Sequence, residues 1–227
     1  MEEKKEDKKE ERVKGFIEVV KTLSDQQDAI REIAVNKDVP EQNVRPYNEE
    51  KTDAELFYHN AFGIKTDFTE IKVPPKPMVE GSLLLLTIEK WFSLEKIILN
   101  NKTECNIRIN PAITFELVNS PYPPNRAYMV WARNDLRPDL RIMNQRNTAG
   151  KRIMTVEERV LLGIKRFMHS TDGYRYHDLE MPTLTSSYVE IRKEPRAIVV
   201  KFQNGGMYID YQDRNIPGGA REVFALE

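Results

Sequence analysis

The stretch YVEIRKEPRAIVVKFQNGGMYIDY, residues 188–211, decides the fold class. Tyr188–Arg192, Ala197–Phe202 and Met207–Tyr211 are runs of strand length rich in β-branched and aromatic residues, and Gln203-Asn204-Gly205-Gly206 separates the last two. An Asn-Gly pair supplies the positive φ angles of a tight hairpin, so this part of the chain reads as strands. Just upstream the period changes. Thr155 and Glu158 form a capping box, and Val156, Val160, Leu161, Ile164, Phe167 and Met168 mark one face of a helix running to about Ser170.

Between Gly63 and that helix, short apolar runs alternate with Asn, Gly and Pro. Strands are expected at Phe68–Val73, Ser82–Ile88, Lys96–Leu99, Asn106–Ile109, Ile113–Val118 and Tyr128–Ala132. Spacing of about eight to twelve residues between such runs suits an antiparallel sandwich or barrel. Upstream of Gly63 the spacing is helical. Phe16, Val19, Val20 and Leu23 lie on one short helix, and Ser24 with Gln27 opens a second through Ile30 and Ile33. Residues 36–51 read as a polar linker, and Thr52 with Glu55 caps a further helix that Gly63 ends. Residues 1–14 hold six acids and six bases, a solvated tail. The expected organisation is therefore a charged tail at 1–15, a helical region at 16–62 and a β-rich core at 63–227. The fold class is α+β, with one amphipathic helix inserted in an antiparallel sandwich or barrel-like core.

At 227 residues and 40% hydrophobic content the chain can build a real core. Acids and bases number 36 and 35, so bulk charge draws it neither to nucleic acid nor to an anionic membrane. The single cysteine, Cys105, excludes an intrachain disulfide and fits a reducing compartment. The apolar run Leu83–Leu86 is far too short for a bilayer of ~30 Å. The expected location is the cytoplasm or an intracellularly assembled particle, with no membrane contact.

Charge is concentrated in one place. Residues 126–152 carry Arg126, Arg133, Arg137, Arg141, Arg146, Lys151 and Arg152 against Asp135 and Asp139, a net +5 in a chain of net −1. Tyr128 and Trp131 are interleaved with these cations, a mix suited to an acidic protein face, a phosphate backbone or internal ion pairs. These nine residues, the seven cations with Tyr128 and Trp131, form the candidate partner-binding set.

The catalytic patterns are weaker. Asp67, Glu70 and Lys72 form an acid followed by Glu-x-Lys, the arrangement by which PD-(D/E)xK nucleases hold a divalent metal on a strand. Asp67 stands only three residues before Glu70, so on a strand the two acids point to opposite sides. His169 and His177, near Asp172, Asp178 and Glu180, match no metal-ligand spacing. Neither GxxxxGK[ST], GxGxxG nor GxSxG occurs. The expectation is a non-enzymatic assembly protein without a cofactor, such as a structural component of a viral or phage-like particle. It would touch protein subunits, its own or others, through arms at 1–14 and 121–152. The alternative is a nucleic-acid-binding protein, extending to a metal-dependent nuclease.

Overall fold

Thr155 and Glu158 close the expected capping box: Glu158 N donates to Thr155 Oγ1 at 3.3 Å, and Thr155 N donates to Glu158 Oε2 at 2.9 Å. The helix they open runs Val156–His169, and every residue from Val156 to Lys165 is buried. One apolar face was expected; the helix is instead enclosed on all sides because sheets lie on both flanks. The computed structural model describes residues 49–90, 92–121, 126–134, 140–143, 145, 151–169, 182–203 and 206–225. The tail at 1–15 and the helices expected between 16 and 34 lie outside them.

Among the described residues the helices are α1 (Glu49–Phe62), α2 (Leu94–Asn100) and α3 (Val156–His169). The strands are β1 (Leu83–Ile88), β2 (Ile107–Ile109), β3 (Val118–Asn119), β4 (Tyr128–Arg133) and β5 (Leu140–Met143). They continue with β6 (Thr183–Ile191), β7 (Glu194–Gln203), β8 (Gly206–Asp213), β9 (Gly218–Ala220) and β10 (Val223–Ala225). A three-stranded sheet has the order β1-β4-β10, and a larger sheet runs β2-β8-β7-β6-β9-β5 with β3 also on β6. The fold is mixed α+β, and neither sheet closes on itself. All these elements belong to one compact unit that begins at Tyr47.

α3 packs against β1 of the small sheet and against β6 and β7 of the large one. The main core is continuous through these elements, joining Leu86 and Val130 to Val160, Ile164, Ile198 and Val200. A second cluster, Leu184, Val199 and Ala220 with Ile153, lies apart from it, and Leu140 packs against it.

Several elements differ from expectation for local reasons. Residues 68–73 are not a strand: Asp67 Oδ1 accepts from Thr69 N at 3.0 Å and Ile71 N donates to Phe68 O, which makes a turn. Residues 96–99 lie in α2, which Ser93 opens by accepting Lys96 N on its hydroxyl. Ile113–Val118 becomes a 3-10 turn at Phe115–Leu117 before the two residues of β3. Helix α1 starts at Glu49, not Thr52, and Glu55 turns away from capping to accept Phe68 N at 3.1 Å. Gly218 and Gly219 form β9 between β6 and β5, where a Cβ on Gly218 would lie 3.0 Å from Leu184. Two pairings, β2–β8 and β6–β9, are parallel in a sheet expected to be antiparallel.

Candidate functional site

The first residues of the basic segment enter β4, whose alternation sends Trp131 and Arg133 to one face. There they hold a proline-rich passage of the same chain. Trp131 Nε1 donates to Pro74 O at 2.8 Å, Lys76 Nζ lies 5.5 Å from the indole centroid, and Arg133 Nη1 donates to Glu80 O. Arg133 also lies over the Phe224 ring. Pro74, Pro75 and Pro77 fix φ along this strap and lower the entropy lost on docking. Met78, near its middle, is fully exposed.

A second cluster lies at the N-terminus of α3. Tyr128 Oη donates to Glu158 Oε1 at 2.9 Å, and Arg152 Nη2 donates to the same oxygen at 2.7 Å. The Arg152 guanidinium also stands 5.6 Å from the Tyr128 ring centroid. Glu158 is completely buried. Burial pushes its carboxyl above the ordinary range, while Arg152, Thr155 N–H and the Tyr128 hydroxyl pull it back. Tyr128 is raised in turn, chiefly by its own burial and then by the Glu158 charge.

Next to it, Ser120 Oγ donates to Glu157 Oε2 at 2.7 Å and lies 2.7 Å from Ser187 Oγ. Ser120 has one proton, so Ser187 is the donor between the two hydroxyls. Ser187 Oγ also accepts Val156 N at 2.9 Å, which satisfies a donor in the first turn of α3. Both carboxylates lie at the positive end of the helix dipole. The cluster fixes Ser120, the start of β4, residues 151–155 and β6 to the start of one helix.

Lys151 pairs with Glu222 at 2.9 Å, so Lys151 and Arg152 both meet carboxylates of their own chain. Arg126 is exposed. Arg141 lies in β5, and Arg137 and Arg146 lie outside the described residues. Of the metal-nuclease pattern, Glu70 and Lys72 are exposed in the turn, and Asp67 is bonded to the Thr69 hydroxyl as well as to its amide. His59 and His169 are exposed on the helices, His177 lies outside the described residues, and Cys105 is buried in the main core.

Sequence reasoning missed the outward edge of β1. Asn134 N donates to Ser82 O, so alternation turns the Leu85 and Thr87 carbonyls away from β4. Lys165 Nζ donates to Leu85 O at 3.2 Å and Tyr58 Oη to Thr87 O at 2.8 Å, which caps that edge. Lys165 also pairs with Asp53 Oδ2 at 2.6 Å. The available signal was a lysine at i+4 from Leu161, on the apolar stripe of α3.

Comparison with family models, curated proteins and solved structures finds no match to this chain.

Proposed function

We propose that this is a non-enzymatic interaction or assembly protein whose 121–152 segment contacts other protein subunits, as in the shell of a viral or phage-like particle. The observation that supports this reading is the exposure of Arg126 ahead of β4, in a segment with an excess of positive charge. Trp131 and Arg133, both in the candidate partner set, are taken up by the main-chain carbonyls of Pro74 and Glu80 of their own chain. Arg152 and Lys151 likewise serve internal pairs, so the residues assigned to partners are Arg126, Arg137, Arg141 and Arg146.

The test compares the intact chain with a variant carrying Arg126→Glu, Arg137→Glu, Arg141→Glu and Arg146→Glu. Molar mass is measured by light scattering over a range of concentrations. The intact chain associates and the variant stays monomeric at the same concentrations. Intact protein that is monomeric throughout, and takes up no other subunit from its native source, overturns the reading.

A further inference from the structure

One face of the larger sheet carries an aromatic and cationic row. Arg108 of β2 stands opposite Tyr208 of β8, and Tyr208 stands opposite Lys201 of β7. Partners in register share a face, so the three side chains form a line across three strands. The residues beside them in each strand, Ile109, Ile209 and Val200, turn to the other face and belong to or pack on the main core. Arg108 is exposed and Tyr208 half-buried. Lys201 Nζ lies 5.0 Å from the Tyr208 ring centroid.

Beyond Val199 and Ala197, which point to this side and are buried in the second cluster, stands a second aromatic. Tyr188 of β6 is in register with Ala197, and Ala197 with Gln212, which stands four residues beyond Tyr208 in β8. Arg214 lies 5.5 Å from the Tyr188 ring centroid. Four residues along and two strands across put the tyrosines on the order of 16 Å apart, a span for an oligonucleotide and not for one base. Two carboxylates share this face. Asp210 is engaged by Lys201 at 3.0 Å and by Asn110 at 2.8 Å, and Glu190 lies at the hairpin end. Arg108, Lys201 and Arg214 outnumber them.

We propose that this face binds single-stranded nucleic acid, with bases stacking on Tyr208 and Tyr188 and phosphates meeting Arg108, Lys201 and Arg214. Every base has a π-face, so stacking on sheet tyrosines beside cations gives affinity with little sequence preference. The site shares no residue with the 121–152 segment and stands whether or not that segment binds protein.

The experiment is fluorescence anisotropy of labelled mixed-sequence single-stranded DNA and RNA with the full chain over a salt series. Binding at low salt that weakens as salt rises is expected, with duplex DNA bound less tightly. Tyr208→Ala weakens it about tenfold or more and Tyr208→Phe retains it. Arg108→Ala, a change at an exposed position, lowers the salt slope by about one. Arg126→Glu leaves both effects in place. No binding at low salt, equal binding by Tyr208→Ala, or loss confined to Arg126→Glu would overturn the proposal.

Discussion

Replacing Arg152 with Met removes the cation that faces buried Glu158 and keeps an apolar stem in its place. Glu158 retains the Tyr128 hydroxyl and Thr155 N–H, but its charge loses its ion-pair partner. Breaking a fully buried pair costs about 3–5 kcal/mol. The Arg152 side chain is 20% exposed, so solvent recovers part of this and the expected loss is about 2–3 kcal/mol. That corresponds to a fall in Tm of about 4–12 °C for a chain of this size. The sign with pH follows from Glu158. Its folded pKa is raised, first by burial, so the stability of its protonated form is full below the unfolded value and is lost as pH rises through the folded one. Losing Arg152 raises that pKa further. Urea unfolding should therefore show a larger penalty at pH 8 than at pH 5, and adding Glu158→Gln to Arg152→Met should restore part of it. A penalty as large at pH 5 as at pH 8, or a double variant weaker than the single, refutes the reasoning.

Three other substitutions test the packing. Gly206→Ala places a Cβ 2.5 Å from the Asn106 carbonyl, beside the parallel β2–β8 pairing, and should cost about 1–3 kcal/mol in chemical denaturation. Arg192 and Lys193 both hold positive φ in the β6–β7 turn, so Lys193→Gly should stabilise by about 1 kcal/mol, read as a higher urea midpoint at unchanged slope. Trp131→Phe keeps an aromatic ring but leaves the Pro74 carbonyl without its donor. It should cost about 1–3 kcal/mol and speed proteolysis within residues 74–81.

The parts of the fold legible in the sequence were those fixed by local chemistry. The Thr155–Glu158 box marked α3, Gly63 at positive φ ended α1, a continuous apolar run located β1, and runs of β-branched and aromatic residues located β4, β7 and β8. Errors arose where a side chain redirected the backbone. The Asp67 carboxylate made a turn of an expected strand, and Ser93 made a helix of residues 96–99. The Arg192-Lys193 turn was hidden because neither residue favours positive φ.

For the candidate site, the residues of the basic segment were legible in the sequence, but not their division of labour. Long-range contacts set that division: Arg152 reaches an acid six positions on, and Trp131 reaches a proline 57 positions back. The Arg108–Tyr208–Lys201 row was invisible for the same reason, since it exists only once β2 lies parallel to β8.

The most direct test of the assembly account is a photoreactive side chain introduced in place of Arg126, activated in concentrated protein and in extract of its native source. The account predicts covalent adducts joining residue 126 to a second protein chain, increasing with concentration and lost at high salt. Links confined to the same chain at every concentration would contradict it.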